Sequence, residues 1–241
     1  MKRFKHTVFS LFFVLAVSFL IQSSGLAAYP NSAEYQPGFH DIEFKNAHYL
    51  VFLPMNFDPE RKHTLIVISF MYNKVTEIEP QALMDAWTHL AEEREYVLIL
   101  PMVGGIDDKI IEWYRDLLKE VKARYSINRS HILLTSFGEG ADFAFYIGTT
   151  FPEEFSAVSP VSGSLKGTWG RKIHFKKRDR LPFYIFSGQK DSKVSPDKVR
   201  DSAETLKQKG YEVTYEEVSG MGHEYPEAVT QKIADWFDNL A

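Results

Sequence analysis

His131-Ile132-Leu133-Leu134-Thr135-Ser136-Phe137-Gly138-Glu139-Gly140-Ala141-Asp142 is the stretch on which the architecture of this chain turns. An apolar run of isoleucine and leucine stops abruptly at small residues and continues in a helical pattern. Ser136-Phe137-Gly138-Glu139-Gly140 has the layout small-x-nucleophile-x-small, in which a strand ends in a tight turn that presents its central residue and then enters a helix. Here the central residue is glycine, which has no attacking group to present.

Outward from this turn, strand-like runs fall at about 41–45, 48–53, 64–70, 96–101, 131–136, 156–160, 182–187 and 211–218. Leu65-Ile66-Val67-Ile68 and Val97-Leu98-Ile99-Leu100 are apolar without alternation, which suits central strands covered on both faces. Helical patterns lie between the strands. Asp107 or Asp108 is placed to cap a helix whose apolar face is Ile110, Tyr114, Leu117, Leu118, Val121 and Tyr125. Ser195-Pro196-Asp197 reads as a helix start with a serine cap, and Gly210 as the stop after about Gln208. A last helix after Pro226 is expected to bury Val229, Ile233, Trp236, Phe237 and Leu240. Alternating strands and helices predict an α/β fold with a mostly parallel eight-stranded sheet and helices on both faces.

The N-terminus reads as a leader. Met1-Lys2-Arg3-Phe4-Lys5 is positive, Val8 to Ile21 is apolar, and Gly25, Ala27 and Ala28 are small. That is the plan of a cleaved signal peptide over residues 1–28, followed by one domain at 29–241. The apolar run is short of the roughly 20 residues that a bilayer span needs, and no later stretch reaches that length. The expected location is therefore outside the cytoplasm, periplasmic or extracellular. There is no cysteine, which excludes disulfides and thiolate metal sites. Without the three basic residues of the leader, 25 basic residues face 32 acidic ones, and a net charge of −7 argues against a nucleic-acid partner.

Two further segments complete a constellation. Pro182-Phe183-Tyr184-Ile185-Phe186 leads through Ser187-Gly188-Gln189-Lys190 to Asp191, an acid beyond the end of a strand. The next strand leads into Gly220-Met221-Gly222-His223, where glycines allow a turn that presents an imidazole. In this order Asp191 would hold the His223 tautomer and His223 would serve as general base.

With these residues in view, Ile127 to Phe155 resembles the core of secreted carboxylesterases of the polyhydroxybutyrate depolymerase and feruloyl esterase type. Ile127-Asn128 matches the opening of their motif, Ile132 to Thr135 its strand and Phe151-Pro152-Glu153-Glu154-Phe155 the end of its helix. Ile106-Asp107-Asp108 matches the lead-in to the preceding helix. The resemblance covers about residues 48 to 240. It implies an α/β-hydrolase fold with a minimal lid at about 164–181 and a site for a small-molecule ester or acyl ligand, with no metal or organic cofactor.

The departures from that family are specific. Without a gap, its nucleophile falls on Gly138 and its first small residue on Ser136. The pair matching its oxyanion loop is Phe70-Met71, and Glu139 follows the nucleophile position. Met71, Tyr72, Trp87 and Trp169 are candidates to line the crevice, while the basic run Arg171 to Arg178 reads as a solvated loop. Two functions remain open at this point. One is a degenerate hydrolase with a vacant nucleophile position at Gly138 and a surviving crevice. The other is an active carboxylic-ester hydrolase that uses Ser136 with His223 and Asp191.

Overall fold

The computed structural model describes residues 35–71, 79–105, 107–167 and 171–240, all of them within the unit Glu34–Ala241. The leader at 1–28, Tyr72, Ile106 and Trp169 lie outside the described residues. The strands are β1 (Gly38–Phe44), β2 (Ala47–Leu53), β3 (His63–Met71), β4 (Val97–Val103), β5 (Ile127–Phe137), β6 (Ala157–Val161), β7 (Phe183–Gly188) and β8 (Val213–Val218). The helices are α1 (Pro80–Arg94), α2 (Asp108–Arg124), α3 (Glu139–Thr150), α4 (Pro196–Gln208) and α5 (Glu227–Asp238).

Among the described residues the eight strands form one sheet in the order β1-β2-β4-β3-β5-β6-β7-β8. β1 and β2 run antiparallel to their neighbours, and β4, β3, β5, β6, β7 and β8 are parallel. The order reverses between β3 and β5, so the carboxyl ends of these strands flank the kind of switch point at which open α/β sheets bind ligands.

The unbroken apolar runs follow from burial on both faces. Leu65, Val67, Val97 and Ile99 point into one core with α2, α3 and α4. Ile66, Ile68, Leu98 and Leu100 point into the other with α1 and α5. Successive side chains of a strand alternate between faces, so a strand that is buried twice has no polar position left.

Several local expectations change in the structure. β5 begins at Ile127 rather than 131, because its first residue already pairs with His63. The Asp107 carboxylate does cap α2, accepting from the Ile110 N–H at 2.8 Å. Ser195 makes no side-chain cap, and the fixed φ of Pro196 starts α4 instead. Leu240 is 39% exposed, since α5 ends at Asp238 and its final residues leave the sheet. Trp236 is half-buried against Tyr184. Between β6 and β7, residues 162–167 and 171–182 form neither helix nor strand, so the described part of this segment is short, irregular chain.

Candidate functional site

β5 ends at Phe137 and α3 begins at Glu139, so Gly138 alone makes the turn, with φ 57° and ψ −126°. A side chain is strained in that conformation and glycine is not. The turn is tied from both sides. The Gly138 N–H donates to the Val161 carbonyl at 3.0 Å, and its own carbonyl accepts from the Ala141 N–H at 3.0 Å. A Cβ built on Gly138 would lie 3.4 Å from His223 Nε2 and 3.7 Å from Cε1.

The small residues on either side of this turn have a packing reason. A Cβ on Gly140 would stand 2.4 Å from the Ser69 carbonyl oxygen and 3.5 Å from the Ser136 Cβ. The first turn of α3 therefore rests directly on β3 and β5, and only small residues fit the contact. Ser136 lies beneath α3, fully buried, and its hydroxyl has no hydrogen-bond partner among the described residues. Its neighbour Phe137 points to the opposite face, and it is this ring that meets His223, at 4.6 Å between centroids. The structure thus brings Gly138 to His223 and makes no hydrogen bond from Ser136 to it.

Asp191 and His223 come from the loops after β7 and β8. Asp191 Oδ2 lies 2.9 Å from His223 Nδ1, and Oδ1 accepts the N–H groups of Lys193 and Val194 at 2.9 Å each. Burial pushes the Asp191 pKa up, but the donors on Val194, His223 and Lys193 outweigh it and hold the carboxyl below its usual value. With the carboxylate ionised, Nδ1 is the donor, and in the neutral ring Nε2 is the basic nitrogen. That nitrogen faces the Gly138 turn.

The two loops are jammed together where they leave the sheet. A Cβ on Gly188 would lie 2.2 Å from the Gly222 carbonyl oxygen and 2.5 Å from that of Met221. The N–H groups of Gln189 and Lys190 donate to the carbonyls of Val218 and Met221 at 3.0 and 2.8 Å. Gln189 Oε1 also accepts from Gly220 N–H and Ser219 Oγ.

The other named residues are dispersed. Phe70 and Met71 end β3 with side chains buried in opposite cores. Trp87 is fully buried in α1 and donates its Nε1–H to Tyr225 Oη, so it is core rather than crevice. Glu139 is exposed on the first turn of α3. Arg171, within the basic run, pairs with Asp108.

Asp142 was not singled out by the sequence. Its Oδ1 accepts the Ser164 N–H at 2.6 Å, and a Cβ on Gly167 would fall 1.6 Å from its Oδ2, so the 164–167 segment closes over the carboxyl. Burial pushes its pKa up to about 7, with the Glu139 charge adding to the rise and the Ser164 N–H opposing it. An unfolded aspartate titrates near 3.9. Because the folded value is raised, the stability Asp142 contributes is complete below about pH 4 and is lost as pH rises to about 7. Asp142→Asn keeps the acceptor without the titration. Melting temperature followed from pH 4 to pH 8 should therefore fall less steeply with pH for the variant than for the wild type. Parallel profiles would refute the assignment.

Among the described residues, no group of three or more histidine, cysteine, aspartate or glutamate side chains is arranged to hold a metal ion. No described helix is long and apolar enough to cross a membrane.

Comparison with known proteins supports the family and the fold. A family model described as phospholipase/carboxylesterase matches residues 53–240. No curated protein matches the chain. Among solved structures, a thermostable esterase aligns with TM-score 0.64 at 16% identity over 83% of this chain, which spans only 62% of that protein. A ferulic acid esterase aligns with TM-score 0.67 at 16% identity, covering 84% of this chain and 98% of its own. An α/β-hydrolase enzyme from a Medee basin deep-sea metagenome library aligns with TM-score 0.68 at 13% identity, covering 85% and 98%. At such identities the structural likeness speaks for the fold alone.

Proposed function

The chain belongs to the phospholipase/carboxylesterase family and has the α/β-hydrolase fold, and we propose that it is an exported, esterase-like protein that lacks serine-nucleophile catalysis and keeps a crevice for a small-molecule ester or acyl ligand. One observation carries this reading. The Asp191–His223 pair is formed, and the residue its imidazole faces is Gly138, at the strand-to-helix turn.

A pair of this kind has no nucleophile to activate without an oxygen on residue 138. Removal of the serine from such a triad costs on the order of a million-fold in turnover. The surroundings favour the same reading. Glu139 puts a carboxylate next to the place where a substrate oxygen would become negative, which opposes that charge. Ser136 argues poorly as a substitute, because it is buried under α3 and its neighbour Phe137 occupies the side of β5 that meets His223. Export rests on the leader pattern at 1–28, with a periplasmic or extracellular destination, and the excess of acidic residues favours a small ligand over nucleic acid.

The test is the initial rate on a short activated acyl ester for wild type and Ser136→Ala. Wild type should turn over no faster than a protein-free control, and Ser136→Ala should match it. Hydrolysis by the wild type that disappears in Ser136→Ala would sink the proposal and make the chain an active esterase.

A further inference from the structure

We infer that Tyr225 is a positioning residue for His223, with its phenol locked between Trp87 and Thr135 to set the tilt of the imidazole over Gly138. The inference rests on the reading of Gly138, Asp191 and His223 as the functional site, and it assigns a role to side chains that touch no ligand.

The Nδ1 contact to Asp191 holds one edge of the His223 imidazole. The Phe137 ring lies against the same imidazole, tilted by 43° with 4.6 Å between centroids, and Phe137 in turn packs on Tyr225 at 5.9 Å. Tyr225 follows His223 by two residues, so whatever anchors its side chain also anchors the loop that carries the imidazole.

The anchor has a single direction. Indole Nε1 only donates, so Trp87 donates to Tyr225 Oη at 2.9 Å. The Thr135 hydroxyl donates to the Ser159 carbonyl at 2.8 Å, which leaves its oxygen to accept the Tyr225 proton at 3.1 Å. Every proton in this chain is committed, and the terminal acceptor is backbone of β6. Trp87 and Thr135 are fully buried, and burial pushes the Tyr225 pKa up to about 12, so the phenol stays neutral and donating at any working pH. Thr135 and Phe137 lie two apart on β5, so one strand face carries both the acceptor for Tyr225 and the ring that meets His223.

The experiment has two readouts that loss of stability alone does not move. The first is the downfield proton signal of His223 Nδ1–H, with its exchange rate, in wild type, Tyr225→Phe, Thr135→Val and Thr135→Ser. The second is kcat and KM on a short activated ester for the same substitutions in a Gly138→Ser background. Tyr225→Phe and Thr135→Val should weaken the signal and speed its exchange, and Thr135→Ser, which keeps the hydroxyl, should restore it. Displacement of about 1 Å costs a reacting pair roughly a hundred-fold, so partial loss of orientation should lower kcat roughly ten-fold with KM unchanged.

If Tyr225→Phe and Thr135→Val melt earlier but leave both the signal and kcat intact, Tyr225 is structural only and the inference is overturned. If Gly138→Ser is inert while the signal still responds, positioning stands and the esterase-like reading of the site fails. Should Tyr225→Phe not fold, Thr135→Val against Thr135→Ser decides the same question.

Discussion

Gly138→Ser is expected to raise hydrolysis of a small activated ester about a thousand- to ten-thousand-fold above the wild-type level. The figure combines two magnitudes. A missing triad nucleophile costs about a million-fold, and one defective oxyanion donor withholds about a hundred- to a thousand-fold of the recovery. The geometry favours restoration. The Cβ position is 3.4 Å from His223 Nε2, an ordinary contact, and a hydroxyl one bond further comes within hydrogen-bond reach of that nitrogen. Asp191 already holds the opposite edge of the ring. Activity should stay well below that of a good esterase, because Glu139, directly after the turn, keeps a carboxylate on the first turn of α3. The repair also has a thermal signature. A β-carbon at φ 57° costs about 1–2 kcal/mol, or roughly 2–8 °C in melting temperature for a domain of this size. Initial rates and melting curves for wild type, Gly138→Ser and the double variant with His223→Ala are the measurement. A folded but inert Gly138→Ser would overturn the esterase-like reading of the site.

Gly188→Ala should be strongly destabilising. Its Cβ would meet the carbonyl oxygens of Gly222 and Met221 at 2.2 and 2.5 Å, and backbone atoms cannot rotate aside as a side chain can. Either β7 shifts against its neighbours or the His223 loop moves outward. Overpacking of this kind costs about 2–4 kcal/mol, which is roughly 4–16 °C in melting temperature. The Nδ1–H signal of His223 should vanish as well, since the displaced segment is the one that brings the imidazole to Asp191. Gly222→Ala is the matched control. Its Cβ meets no described atom within 4 Å, and its melting temperature should remain within about 2 °C of the wild type. Equal stability of Gly188→Ala and Gly222→Ala would contradict the close approach of the two loops.

What could be read from the sequence was what local periodicity and order carry. Leu65 to Ile68 and Val97 to Leu100 have no polar residue because both of their faces are covered, and this pattern announced central strands. Asp191 and His223 lie just beyond consecutive strands, and adjacent strand ends bring them to 2.9 Å. The flanking small residues were read from their spacing, but the reason for them needed the structure, where Ser136 and Gly140 meet between β5 and α3. The Trp87–Tyr225–Thr135 chain was invisible because its partners are 138 and 90 residues apart in sequence. A tryptophan in an amphipathic helix and a tyrosine in a loop have no local mark of a shared hydrogen bond. Asp142 looked like an ordinary acid in a first helical turn, and only the closure of Gly167 upon it makes it unusual. Ser195 and Leu240 show the opposite failure, in which a sound local rule yields to a neighbour, Pro196 in one case and the end of α5 in the other.

The position of β8 in the sheet has a consequence for how long the site lasts within a folded molecule. Among the described residues β8 is an edge strand, paired only with β7, and most of its residues are half-buried. Its charged margin is held by Arg200 of α4 to Glu217 and by Lys232 of α5 to Glu216. Exposed ion pairs of this kind contribute little, about 0–1 kcal/mol each. Edges open by local fluctuation at a lower free energy than the interior, whereas Gly138 ends a strand with neighbours on both sides. The imidazole therefore hangs from the least anchored strand of the parallel sheet, and the turn it faces belongs to one of the best anchored. Opening of the β8 edge separates the two while the cores remain intact. The occupancy of the assembled site is accordingly set by the local equilibrium of that edge, against which the Trp87–Tyr225–Thr135 chain holds the loop that carries the imidazole.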